Sequence, residues 1–313
     1  MFKKILSIML TVILLLSVFS GCTTEEQADD GRMTIVTTIF APYDFIRHIV
    51  GDKADVVMLL PPGVESHSYE PTPSDIIKIE NADLFFYVSE HTETWVTEIV
   101  SSLKNKKVET VSIAHGLGIE IHGHDHGAHE DHEHTEDCQA DGHIWTNLSY
   151  AARMVEFIAD KISEKDKENA DFYSRNAEKY SKAILALEGD FKKMISQSAR
   201  KEIVSGSRFA MINFADEFSL EYTAAFDSCV DNTEPSAAVM AKIIDKINAD
   251  NIPVIFYEEL TEPKIARAVS KETGTKMLLL HSCHNVSASE LEKGETYLSL
   301  MAQNYYNLKE ALN

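Results

Sequence analysis

Residues 33–63 read MTIVTTIFAPYDFIRHIVGDKADVVMLLPPG, and the spacing of their apolar side chains sets the fold class. The β-branched run at 33–40 predicts a buried strand, 42–52 a helix stopping at Gly51, and 54–63 a second strand that enters a Pro-rich loop. Ser74-Asp75 then caps a short helix over 76–82, and DLFFYVS at 83–89 predicts a third strand. Strand and helix alternating at this pitch argue for an α/β fold with a mainly parallel sheet flanked by helices. The pattern returns after residue 200. Strands are predicted at 201–207, 220–226, 253–259 and 276–282, with helices at 209–218, 236–248 and 263–273 between them.

Two α/β lobes are therefore expected, over 33–148 and 200–313. Between them, 149–162 predicts one helix and 167–199 another, the latter with Phe172, Tyr173, Ala177, Tyr180, Ile184, Leu187 and Phe191 at three-to-four spacing. Gly189 weakens this second helix locally without ending it. A helix of about 30 residues would be about 45 Å long, a rigid bridge between lobes rather than a flexible linker.

The chain begins MFKKILSIMLTVILLLSVFSGC: two lysines, an apolar run over 5–19, then small residues before Cys22. That is the order of a secretory signal, and the run is short of the about 20 residues a spanning helix needs. Residues 1–21 are read as a signal peptide and 22–32 as a polar tether. Loss of Lys3 and Lys4 with the signal would take the formal charge from −21 to −23. Such an acidic surface excludes nucleic acid as a partner and suits cations. Cys138, Cys229 and Cys283 remain in an exported chain, with Cys229–Cys283 the expected disulfide.

Residues 115–134 read HGLGIEIHGHDHGAHEDHEH: His115, His122, His124, His126, His129, His132 and His134 among Asp, Glu and Gly. So many imidazoles in a polar, Gly-rich stretch make a flexible metal chelator with little apolar surface to fold around. It lacks the fixed geometry that selectivity requires. Isolated histidines are better placed for that: His67 in the stiff loop PPGVESHSYEPTPSD (61–75), His143 in GHIW, and His281 and His284 in HSCHN at the end of the last strand. Strand ends are where open α/β sheets hold their ligands. His48 and His91 read as structural or surface residues.

At these residues the chain resembles the zinc- and manganese-specific solute-binding lipoproteins of bacterial ABC importers. The 61–75 loop corresponds to the one carrying that family's first ligand, hence His67. GHIW corresponds to its D-P-H-x-W segment, hence His143, with Gly142 in place of Pro. EPS at 234–236, IFYEE at 255–259 and TYLSLMAQNYYNLKEAL at 296–312 also fit, so the likeness runs from Met33 to Asn313. It implies two lobes joined by a long helix with a metal cleft between them, a variable histidine-rich loop (115–138) before the second ligand, and a lipidated Cys22 at the outer face of the membrane. One departure stands out. The third ligand of the family falls at Arg208, whose guanidinium has no lone pair to give. His281, where the family often has Asp, is the expected substitute, with Glu258 or water as a fourth ligand and His284 in reserve. Arg208 is expected to pair with Glu258 or another cleft carboxylate and help hold the lobes. A set of imidazoles favours Zn2+ over Mn2+. The resemblance implies a monomeric, non-enzymatic carrier that delivers the metal to a permease driven by an ATPase. The alternatives are a metal-buffering adhesin or surface protein, or a zinc hydrolase, for which no HExxH is present.

Overall fold

The computed structural model describes residues 31–65, 69–104, 107–121, 141–226 and 237–313. Residues 1–30 (the signal segment and most of the tether), His67, the histidines from 122 to 134, Cys138 and Cys229 lie outside the described residues. The first half runs β1 (Met33–Thr37), α1 (Phe40–Val50), β2 (Ala54–Met58), α2 (Pro73–Asn81), β3 (Leu84–Tyr87), α3 (Val96–Ser102), β4 (Glu109–Ser112) and α4 (Ile113–Gly116). Two long helices follow, α5 (Leu148–Lys165) and α6 (Ala170–Gln197). The second half runs β5 (Glu202–Arg208), α7 (Ile212–Glu217), β6 (Glu221–Phe226), α8 (Ala237–Asp250), β7 (Val254–Tyr257), α9 (Lys264–Thr273), β8 (Lys276–Leu279), α10 (Ala288–Glu292) and α11 (Tyr297–Leu312).

The strands form two four-stranded sheets, ordered β2-β1-β3-β4 and β6-β5-β7-β8, with every neighbouring pair parallel. The alternation expected from the sequence is thus present twice, with the same strand order. Each sheet reverses its order beside its first strand, between β1 and β3 and between β5 and β7. The carboxyl ends of those strands are the crevices where such sheets take ligands.

Local chemistry sets the helix starts. The cap of α2 is Thr72 rather than the expected Ser74. Its hydroxyl accepts from the Asp75 amide at 3.3 Å, the Asp75 carboxylate accepts from the Thr72 amide at 3.0 Å, and Pro73 occupies the first turn. At α5, the Asn147 side chain accepts from the Tyr150 amide at 2.8 Å. Helix α6 continues through Gly189 for 28 residues, about 42 Å at 1.5 Å per residue. Its buried stripe includes Tyr173, Ala177, Tyr180, Ile184 and Phe191. Strand β4 and helix α3 were not foreseen.

The apolar core has three parts. An outer cluster on the first sheet gathers Val36, Leu59, Ile79 and Phe85, and one on the second gathers Val204, Ile243, Ile255 and Val269. Between them a single cluster runs from Ile35, Phe45 and Phe86 through Trp145 and Phe191 to Ile203, Phe256 and Tyr297. The two sheets therefore share a central core along α5, α6 and α11, and residues 33–313 pack as one compact unit.

A buried carboxylate ties this core together. Asp44 on α1 is fully buried and accepts hydrogen bonds from the Tyr180 hydroxyl of α6 at 2.6 Å and the Tyr297 amide of α11 at 3.0 Å. Its other oxygen accepts from Arg47 at 3.1 Å. Removing that acceptor strands two buried donors, so Asp44→Ala should cost about 3–5 kcal/mol. Urea denaturation reads this as a lower midpoint at unchanged slope.

Candidate metal centre

His143 stands at the start of a 3-10 turn (Ile144–Thr146) that leads into α5. The residue is 3 % exposed, and Nδ1 lies 2.5 Å from Asp141 Oδ1. The carboxylate accepts a hydrogen bond from Nδ1–H, which leaves the lone pair on Nε2 at the other end of the ring, the arrangement of a metal-ligating histidine with its outer carboxylate. Burial works against the charged imidazole, but Asp141 outweighs it, so the His143 pKa is raised. The segment is clamped from the first lobe, where the Thr92 hydroxyl donates to the Gly142 carbonyl at 3.2 Å. A Cβ on Gly142 would come within 2.5 Å of that hydroxyl oxygen, the physical reason for glycine where the resembling family has proline. From the second half, the Asn213 amide on α7 donates to the Asp141 carbonyl at 2.8 Å.

The second side of the centre is the segment after β8. Backbone and side-chain bonds stitch it to the first half. The Phe40 amide donates to the His284 carbonyl at 3.0 Å, the Gly63 amide to the Val286 carbonyl at 2.8 Å, and the Trp145 indole to the Ser282 carbonyl at 2.7 Å. The Asn285 side chain donates to the carbonyls of Pro61 and Val64, both at 2.8 Å. These bonds set the His284 ring 5.1 Å from the His143 ring and 5.0 Å from Trp145, both edge-on. Cys283, just before it, has a φ of 60°, an uncommon conformation for a residue with a side chain.

His284 lines a cavity of about 30 Å³ together with Glu65, Glu258, Glu259 and Asn285. That is room for an ion or a couple of waters rather than an organic molecule. Burial and the neighbouring Glu259 push the Glu258 carboxyl up to about 7, against the partial relief of Arg208. Glu259 is fixed by Ser282, whose amide donates at 2.9 Å and whose hydroxyl donates at 2.5 Å. Arg208 comes to the same place. An extra residue between Ser205 and Arg208 breaks the β5–β6 register, and Gly206 lets the α9 backbone at Ala266 approach to where a Cβ would sit at 2.7 Å. The bulge turns the end of β5, and Arg208 Nη1 lies 3.6 Å from Glu65 Oε1. The cleft carboxylate it meets is thus Glu65.

It is His284, the reserve residue, that meets His143, whereas His281 is engaged elsewhere. His281 is 1 % exposed and its Nδ1 accepts from the Cys283 amide at 2.9 Å. The neutral ring must then carry its proton on Nε2, which faces Glu290 at 3.8 Å. Neither nitrogen offers a lone pair to a metal in this arrangement. Cys283 carries a free, buried thiol, so the expected bridge to Cys229 is absent at its Cys283 end; Cys229 itself lies outside the described residues. Burial pushes that thiol well above its ordinary pKa. His115 is exposed at the end of α4, and His91 is exposed. His48 stacks on Tyr180 at 4.3 Å with Nδ1 2.8 Å from the Asp44 carbonyl, a packing role. Among the described residues, no three His, Cys, Asp or Glu side chains are gathered closely enough to hold a metal as they stand. Sequence reasoning passed over Asp141 and Glu65. Asp141 could have been found from its position two residues before His143, within reach of that residue's own ring.

The family model for the periplasmic component A of zinc-uptake complexes matches residues 35–311. The zinc-binding lipoprotein AdcA of Streptococcus pneumoniae is 33 % identical over 297 residues, which cover 93 % of this chain but 58 % of that protein. The chain therefore spans a little over half of that relative. The high-affinity zinc uptake system protein ZnuA of Bacillus subtilis is 33 % identical over 322 residues, covering 100 % of this chain and 99 % of that one. The crystal structure of the Zn(II)-bound ZnuA-like domain of S. pneumoniae AdcA superposes with a TM-score of 0.74 at 29 % identity, covering 90 % of this chain and 99 % of that domain. With its whole folded length matched, the chain belongs to the family of the periplasmic component A of zinc-uptake complexes.

Proposed function

We propose that the protein captures zinc outside the cytoplasm and hands it to an ABC permease for import. The observation that carries this reading is the pairing of His143, oriented by Asp141 at 2.5 Å, with the His284 ring 5.1 Å away at a carboxylate-lined cavity. Nitrogen and carboxylate donors in a cavity of ionic size suit Zn2+ better than the all-oxygen shells of harder cations. The proposed ligands are His143 and His284, with Glu258 and the loop histidine His67 completing a four-coordinate set. His281 is assigned a structural role on the tautomer argument. The relatives named as zinc-binding and zinc-uptake proteins support the choice of metal. Capture requires no chemical step, so the protein is read as a carrier and not an enzyme. A lipid on Cys22 would hold it as a monomer at the outer face of the membrane beside the permease and its ATPase. The histidine-rich loop, His115 through His134, would concentrate the metal near the centre.

Competition titration with a zinc chelator tests the ligand set. His143→Ala and His284→Ala should each weaken zinc by more than the about 10–100-fold that loss of an outer-shell partner costs, while His281→Ala keeps one zinc per chain. Retention of tight zinc by His284→Ala together with its loss in His281→Ala would reverse the assignment.

Asp141→Asn leaves the His143 ring in place but removes the charge that orients it, and should weaken zinc by about 10–100-fold. The effect of pH has a definite sign. A Glu258 carboxyl near 7 takes up its proton as pH falls towards 6, and the raised pKa of His143 favours protonation of that ring in the same sense. Zinc must displace those protons, so affinity should fall steeply between pH 8 and 6, with proton release on binding seen by calorimetry in two buffers.

A further inference from the structure

We propose that Arg208 is an internal counter-cation that competes with the incoming metal for the carboxylates of the centre and thereby sets how tightly and how long the metal is held. The proposal rests on the metal-capture reading above and deepens it.

Arg208 stands where the resembling family supplies a ligand, yet a guanidinium stays protonated and cannot coordinate. The structure shows what the side chain does instead. Its Nη1 is 3.6 Å from Glu65 Oε1, joining the end of β5 in the second half to the loop after β2 in the first. Arg208 and Glu258 line one small hollow, and Glu65, Glu258, Glu259 and His284 line the adjoining one. Glu65 and Glu258 thus share one fixed positive charge, with Glu259 beside Glu258. The pair is only partly open to water, with Arg208 16 % and Glu65 34 % exposed at the side chain, so screening by solvent is incomplete. Without metal, the guanidinium offsets the mutual repulsion of the acids and links the two halves. When a dication enters, the same charge opposes it, and Glu258, the proposed ligand, must turn from the guanidinium to the metal while Glu65 stays paired with Arg208. When the metal leaves, Arg208 again offsets the Glu258 charge. A fixed charge a few ångströms from a bound dication lowers affinity by about ten-fold or more at the effective dielectric of such a site.

The full chain carrying Arg208→Gln or Arg208→Lys tests this through two readouts expected to move in opposite directions. In Arg208→Gln, zinc should bind about ten-fold or more tighter and leave correspondingly more slowly in stopped-flow exchange with a chelator, while the metal-free protein unfolds at a lower denaturant midpoint. Arg208→Lys keeps the charge and should stay near the wild type in both. A purely structural arginine would weaken zinc binding and metal-free stability together, and that result overturns the proposal, as does an unchanged zinc affinity in Arg208→Gln. Failure of the wild-type protein to bind zinc in the same titration is a separate outcome, which overturns the proposed function and this proposal with it.

Discussion

The short segment 282–286 holds the two halves in register at the candidate metal centre. Its carbonyls at Ser282, His284 and Val286 accept from Trp145, Phe40 and Gly63, and the Asn285 amide caps two carbonyls of the loop after β2. Each bond taken alone contributes about 1 kcal/mol. Their effect is geometric, because they fix a stretch of the second half against three separate pieces of the first. His284 faces His143 only because its backbone is pinned on both sides. The left-handed conformation at Cys283 is part of the same arrangement: it lets the chain turn sharply enough for His281 and His284 to point into different surroundings.

Buried carboxylates carry the corresponding role inside each half. Glu93 is 4 % exposed and accepts from the Val88 and Ser89 amides at 3.2 and 3.0 Å and from the Thr38 hydroxyl at 2.6 Å. It thereby closes the carboxyl ends of β1 and β3 at the switch point of the first sheet. Burial still pushes its carboxyl up to about 7, so three donors do not fully offset the loss of water. Glu217 does the same for the junction with α5, accepting from the Leu148 and Ser149 amides at 2.7 and 3.0 Å. Together with Asp44, these acids sit where loops and helix starts leave backbone donors without partners.

Much of the fold was legible because it rests on short-range periodicity. Apolar runs such as 33–40 and 84–87 are buried on both faces, and the long stripe of α6 repeats at helical spacing. Strand β4 was not legible. It has four residues and follows a lysine-rich stretch, so pairing with β3 rather than its own pattern makes it a strand. The cap of α2 moved to Thr72 because Pro73 suits the first turn, a local preference that the sequence displays and that competed with Ser74. The site was legible as residue types and only partly as partners. The motif HSCHN contains two histidines three apart, and nothing in that spacing says which ring keeps a free lone pair. A backbone amide of Cys283, directed at His281 by the turn itself, decides it.

Arg208 shows how a centre can keep its charge balance while changing its chemistry. A neutral histidine at that position would add a donor and remove the cation that pairs with Glu65 and offsets Glu258. Three acids around a cavity of about 30 Å³ would repel one another in the metal-free protein, and the least costly relief would be protonation of one of them. A guanidinium relieves part of that repulsion without a proton, although Glu258 is still pushed up to about 7, and it remains charged at every pH the protein meets. The exchange gives up one ligand for a permanent charge. In the proposed carrier role, release favours a bound state that is not too deep, and a resident cation beside the site would limit that depth by simple electrostatics. On the proposed reading, the metal-free and metal-bound states would differ by which cation Glu258 faces, so the two halves would stay joined through segment 282–286 while the centre exchanged one positive charge for another.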